Sequence, residues 1–268
     1  MTKGLELQPA SSLDLPDYAA LFNAAYEGYL IPFHIDENTV AAMTVAFDLD
    51  AEASRIAYRD GAPLGLGNLA VRGEDAWIGG VGVVVAARRT GVGEALMRAL
   101  HEQARERGIR RVWLEVIVEN TGAFALYEKL GYRTVRDVEV WSLPQFDESN
   151  PGGREVSAAE AHARIRELRT ARDPWQRADR TVENYDDTLG LETKDGAAVY
   201  RRGGANVQLL QLAGEAGPLL RSLRRLGTVN VLNLPEDDPA ADVLRDLGAT
   251  VVVRQHEMLL ELQASGGH

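Results

Sequence analysis

Val81-Gly82-Val83-Val84-Val85-Ala86-Ala87-Arg88-Arg89-Thr90-Gly91-Val92-Gly93-Glu94 is a β-branched apolar run that breaks into a glycine-bearing loop and opens a helix. The helix is predicted from Glu94 to Arg107, because Ala95, Leu96, Ala99, Leu100 and Ala104 recur at helical spacing and Gly108 supplies a stop. A strand that runs into glycines at a helix N-terminus aims several backbone N–H groups at one point, where the helix dipole adds partial positive charge. Such a turn is an anion cradle. It is neither the Gly-x-Gly-x-x-Gly of a dinucleotide turn nor a P-loop ending in Gly-Lys-Ser/Thr.

Ile109 to Val118 follows as a strand, with Val112, Leu114 and Val116 on one face and Trp113, Glu115 and Ile117 on the other. Asn120-Thr121-Gly122-Ala123-Phe124-Ala125-Leu126-Tyr127-Glu128-Lys129-Leu130-Gly131-Tyr132 then reads as a helix from Thr121 to Leu130, stopped by Gly131. Arg88-x-x-Gly91-x-Gly93 resembles the Gln/Arg-x-x-Gly-x-Gly/Ala pyrophosphate loop of the GNAT acyl-CoA N-acyltransferase superfamily. Asn120 to Tyr132 is similar to that superfamily's Asn-x-x-Ala-x-x-Leu-Tyr-x-x-x-Gly-Phe/Tyr signature at every fixed position. Two signatures in the right order are far more specific than either alone.

The resemblance implies an α/β fold with a central mixed sheet flanked by helices. It implies transfer of an acetyl group from acetyl-CoA to a primary amine, the acceptor being a small molecule or a peptide. Carried over residue by residue, the Val81 N–H faces the thioester carbonyl and Val83 pairs with pantetheine. The amides of Arg89, Gly91, Val92, Gly93 and Glu94 hold the pyrophosphate, Arg88 adds charge, and Asn120 orders the pantetheine or the strand end. Tyr127 is the candidate acid for the departing thiolate. Yet Ala123, Leu126, Tyr127 and Leu130 also form an apolar helical stripe, so the ring can equally serve the core. Glu115 is the candidate base, on a strand from which some relatives draw a glutamate; a polar strand-face residue is the plainer reading. Between the first two helices, Tyr26, Tyr29, Phe33 and His34 are candidates for lining the acceptor site. The rival to an enzyme is a non-catalytic acyl-CoA-binding sensor or assembly module.

Composition narrows the classes. With no cysteine among 268 residues, a disulfide framework, a thiolate metal site and a Cys nucleophile are excluded. The five histidines are scattered without ligand spacing, so no metal is expected. A net charge of −11 argues against nucleic acid and suits steering of a cationic amine. No apolar run has membrane-spanning or signal-peptide length, which predicts a cytoplasmic protein without a membrane partner.

In chain order, Leu5 to Gln8 reads as a strand. A helix capped near Ser11 to Asp14 runs to Tyr26 or Tyr29, and another spans Glu37 to Phe47. Ala53 to Tyr58 and Pro63 to Val71 are strands joined at Asp60-Gly61, a hairpin signal. Ala76 to Val85 is the next strand, whose Gly79, Gly80 and Gly82 mark a bulge or a close backbone approach. Arg133 to Val135 and Val138 to Leu143 close a first domain, 1–144. Pro144 to Gly153 has linker composition, and Ser157-Ala158-Ala159-Glu160 is a capping box.

The remainder, 155–268, repeats the first part weakly. Lys194 to Ala197 mirrors Arg59 to Ala62, Val207 to Leu212 mirrors the strand before the cradle, Pro218 to Gly227 mirrors the cradle helix, and Leu247 to Val252 mirrors Leu130 to Val135. A tandem of two GNAT-like domains is inferred. The second lacks the glycine loop and places Leu244 opposite Tyr127 and Asp237 opposite Asn120, so it reads as degenerate: a scaffold, an acceptor wall or a homodimer surface. An independent fold after residue 154 is the alternative.

Overall fold

The computed structural model describes residues 4–32, 34–147 and 152–263. Its described residues form two compact units. One holds the residues up to Val135 together with those from Glu257 on, and the other runs from Arg136 to His256.

In the first unit, β1 (Leu5–Pro9) leads through a short 3-10 turn to α1 (Leu15–Ala25) and α2 (Glu37–Phe47). Each helix starts where an aspartate leaves extended backbone and caps the first turn. Asp14 accepts from the Asp17 amide at 2.9 Å and Asp36 from the Thr39 amide at 2.8 Å. Strands β2 (Arg55–Arg59) and β3 (Ala62–Arg72) make the hairpin at Asp60-Gly61, whose φ values of 50° and 78° are those of a two-residue turn that follows the sheet's twist. Next come β4 (Asp75–Val83), α3 (Val92–Glu106), β5 (Arg111–Ile117), α4 (Thr121–Lys129) and β6 (Arg133–Leu143). Sheet order in this unit is β1-β2-β3-β4-β5, with the end of the last strand, β12 (Thr250–Glu261), beside β5.

The second unit repeats that sequence of elements: β7 (Arg154–Val156), α5 (Ala158–Leu168), α6 (Asp179–Glu183), β8 (Leu189–Glu192), β9 (Gly196–Gly203), β10 (Asn206–Gly214), α7 (Ala216–Arg224), β11 (Thr228–Pro235), α8 (Pro239–Asp246), then β12. The capping box is formed, Ser157 Oγ accepting from the Glu160 amide while Glu160 accepts from the Ser157 amide. Its strands run β6-β11-β10-β9-β8-β7, with β6 antiparallel to β11 from Val138 to Leu143. The amphipathic α7 lays Leu219, Leu220 and Leu223 on Val207, Leu209, Val229 and Val231 in one buried cluster.

The division differs from the boundary at residues 144 to 155 read from composition. Residues 148–151 of the stretch with linker composition lie outside the described residues. Burial decides the units. Met258 and Leu262 are buried with Leu114, Val116 and Tyr132 in the first unit's core, and the Leu262 amide donates to the Arg110 carbonyl at 2.7 Å. Two further details depart from expectation. Arg133 to Leu143 is one continuous strand, and the residue capping α8, as Asn120 caps α4, is Asp238 rather than Asp237. Among the described residues no helix is long and apolar enough to cross a membrane.

Candidate active site

The parallel pairing of β4 with β5 runs from Asp75↔Arg111 to Trp77↔Trp113. Past that point β4 carries Gly79, Gly80 and Gly82, and its register with β3 slips between Asn68 and Leu69, which is a bulge. A Cβ at Gly80 would stand 2.5 Å from the Tyr26 hydroxyl and one at Gly82 2.9 Å from the same ring, so the end of α1 lies directly on this strand. Glycine here is a requirement of close approach.

A cleft of about 670 Å³ opens at the end of β4. Its floor is the turn into α3. Gly91, in left-handed backbone at φ 87°, is the N-cap of that helix, and no side chain caps its first turn. The amides there are therefore left to the cleft, on the positive end of a fifteen-residue helix. Glu94 in that first turn accepts from Lys129 at 2.7 Å and from Arg98 at 2.8 Å, and those two hydrogen bonds hold its carboxyl below the usual range.

The cleft gathers Tyr26, Tyr29, Val81, Val83, Arg88, Arg89, Gly91, Gly93, Glu94 and Asn120 from the sequence-derived set. Val92 is not among the residues that line the cleft, and its side chain is buried against Leu96 and Ala57. Tyr127 does not line the cleft: it is 9% exposed and packed with Leu114, Val116 and Tyr132, while Ala123 and Leu126 of the same helix line it. Burial first, then neighbouring Tyr29, push its phenol well above the ordinary range, so the hydroxyl keeps its proton at neutral pH. Tyr26 is raised by burial and next by Tyr127, which places the two phenols in one electrostatic neighbourhood.

Other candidates sit differently from expectation. The Arg88 guanidinium donates from Nε to the Val83 carbonyl at 3.0 Å and from Nη2 to the carbonyls of Ala25 at 3.1 Å and Glu27 at 2.6 Å. It thus ties the loop to the C-terminal end of α1. The Asn120 carboxamide caps α4, accepting from the Ala123 amide at 3.2 Å. Glu115 is on the sheet face away from Tyr127, two residues past the last β4–β5 pair, and accepts from Trp77 Nε1 at 2.8 Å. His34 is exposed and outside the cleft, and Phe33 lies outside the described residues.

Reasoning from sequence missed three partners. Trp77, which holds Glu115, carries a weak signal as a tryptophan just before the glycine run. Lys129, which reaches Glu94 from another helix, carries none. The buried His101, whose Nε2 is 2.9 Å from the Tyr132 hydroxyl, looks like any residue on the α3 stripe.

Comparison with known proteins fits this geometry. Residues 16–132 match the Acetyltransferase (GNAT) family. A 45-residue stretch is 44% identical to the ribosomal protein bS18-alanine N-acetyltransferase of Escherichia coli, covering 17% of this chain and 30% of that relative's length. Among solved structures, a GCN5-related N-acetyltransferase from Sphaerobacter thermophilus superposes with a TM-score of 0.72 at 17% identity, over 97% of this chain and 96% of that one. A tandem GNAT protein from the clavulanic acid biosynthesis pathway does so with a TM-score of 0.67 at 16% identity, over 98% and 100%. At such identities the structures speak for the fold alone: the chain carries the GNAT fold in tandem, and residues 16–132, under half of its length, match the acetyltransferase (GNAT) family.

Proposed function

We propose that the first unit is an N-acetyltransferase that moves an acetyl group from acetyl-CoA to a primary amine. The observation that carries this reading is the uncapped N-terminus of α3 at Gly91, opening into a cleft of about 670 Å³. That volume is ordinary for a small-molecule site. The residues present suit the donor: free amides on a helix dipole for its pyrophosphate, and Val81, Val83 and Leu126 as apolar walls for its pantetheine arm.

When bound, acetyl-CoA supplies the thioester carbonyl that the amine attacks. In our reading Glu115, which does not itself line the cleft, takes through water the proton the amine sheds as the C–N bond forms, and Tyr127 supplies the proton that the sulfur needs as the C–S bond breaks. The raised Tyr127 phenol suits a donor of protons and not a base. Trp77 positions Glu115 through its indole N–H. A net charge of −11 agrees with a cationic amine acceptor. The relative that acetylates the alanine of a ribosomal protein makes peptide N-termini the first acceptors to try. We assign the second unit no donor site, and one CoA per chain follows.

The test is CoA release from acetyl-CoA with a panel of N-terminal peptides, lysine peptides and small amines. Saturable CoA binding with no turnover on any amine would return the sensor reading. Absence of CoA binding would remove both.

A further inference from the structure

Beyond the donor cleft, the first unit holds a second cavity, of about 130 Å³, between α1, α2 and the β3 face. The two share a wall: Phe22 lines the small cavity and stacks at 4.5 Å on Tyr26, which lines the cleft. Phe22, Ile35, Val40 and Leu49 make its sides, and exposed Ser11 and Leu15 stand at its rim. Among the described residues no charged one lines it.

Its floor is polar. Asn68, 4% exposed, accepts from the Tyr18 hydroxyl through Oδ1, which turns the amide nitrogen the other way. That nitrogen has no partner among the described residues. Burial, partly offset by this same hydrogen bond, pushes the Tyr18 phenol up to about 12, so its hydroxyl keeps the proton it donates to Asn68. Beside it Ser54, 2% exposed, accepts from the Leu69 amide at 3.0 Å and has its own proton uncommitted among the described residues. Both side chains line the cavity and each has donor capacity that the protein does not use there.

We propose that this cavity is a ligand site separate from the donor cleft, for a small uncharged molecule with a one-ring or branched aliphatic body and one carbonyl-type acceptor, which Asn68 holds. Size sets the body, since an apolar cavity of about 150 Å³ accepts benzene. The lining sets the charge: an ammonium or carboxylate would be desolvated there with no opposite charge to meet it. The cavity is therefore not the amine acceptor's site. The unpaired amide sets the head group.

The full-length protein is titrated by calorimetry or ligand-observed NMR with acetophenone, its apolar isostere cumene, benzoate and benzylamine, each with and without saturating CoA. Acetophenone is expected to bind saturably and independently of CoA, cumene about tenfold more weakly, and the two ions not at all. Asn68→Leu should erase the preference for acetophenone over cumene. Ser11→Phe, at an exposed rim position that leaves the core alone, should weaken both at least tenfold. Equal affinity for acetophenone and cumene in the wild type, displacement by CoA, indifference to Ser11→Phe, or no binding of either ligand each overturns the proposal.

Discussion

The turn from β4 into α3 and the turn from β10 into α7 occupy the same place in two copies of one fold, and they differ in what their amides do. In the first unit the chain spends Val84 to Gly91 between strand and helix, and α3 begins uncapped at Gly91. In the second, β10 ends at Gly214 and α7 begins at Ala216; its N-cap Glu215 makes no side-chain cap bond either, so the difference lies in the turn and not in the capping. The Glu215 amide donates to the Asp195 carbonyl at 2.9 Å, and a Cβ on Gly214 would stand 2.1 Å from that oxygen. The short turn is thus filled by its own hairpin. Glu215 itself stands at the start of α7. The fold repeats, while the chemistry depends on about seven extra residues of loop.

The sharpest way to break that comparison is Gly93→Val. A Cβ at Gly93 meets nothing closer than 3.8 Å, so the variant should fold while its side chain blocks the amides. Losing two or three charge-assisted bonds at roughly 1.5 kcal/mol or more each predicts about a thousandfold weaker CoA binding by calorimetry. Gly91→Val is the less clean probe, because φ of 87° adds backbone strain. Wild-type CoA affinity in Gly93→Val would sink the cradle.

Acid should separate the units. Burial first, then Arg105 and Arg98, push the His101 imidazole down to about 4 from an ordinary value of 6.5. The unfolded chain therefore takes the proton first, and stability that is complete above about pH 6.5 is lost as pH falls toward 4, by about 3 kcal/mol. In the second unit burial raises Asp179, but hydrogen bonds from Arg169, His162 and Gln211 outweigh it and hold the carboxyl low. Its contribution is complete above the ordinary value of 3.8 and fades only below it. Asp173 works the other way, since burial raises its carboxyl. Hydrogen exchange followed from pH 7 to 4 should show β5 and α3 loosening before β10 and α7, and His101→Gln should remove the difference. Simultaneous loosening would count against this account.

Within the first unit, Tyr127→Phe keeps the packing against Tyr132 and should lower kcat by about 10², with CoA affinity and Tm unchanged. An unchanged kcat would make Tyr127 a core residue only. The smallest effect expected is from Asp179→Asn, which weakens bonds to Arg169 at 2.6 Å and His162 at 2.9 Å. It should cost about 2 kcal/mol in denaturant unfolding, leaving CoA affinity as it was. Weakened CoA binding there would mean the second unit is more than a support.

Much of this was legible in the sequence, because it depends on local chemistry. Aspartates at 14 and 36 announce helix starts, Asp60-Gly61 announces a hairpin, and the glycines from 79 to 93 announce both the bulge and the cradle. The alternation around Glu115 placed it opposite Leu114 and Val116, as found. What stayed hidden depends on residues distant in the chain. Arg88 reads as a phosphate ligand until the carbonyls of Ala25 and Glu27, more than sixty positions earlier, are seen to accept from it. Trp77 and Glu115 are 38 positions apart, and nothing local in either announces the other. Unit boundaries were hidden for the same reason, being set by where Met258 and Leu262 are buried.

The shared strands impose an order in time. Because the first unit needs the residues after Glu257, it is discontinuous, whereas the second is one uninterrupted span from Arg136 to His256. On a ribosome the unit that emerges first waits for the end of β12 before its core can close, and the later one has its whole span first. Until then Leu114, Val116 and Tyr132 lack the cover that Met258 and Leu262 give them. The half that carries the cleft is the last to be finished, so a chain released early would present an apolar surface before it could present a site.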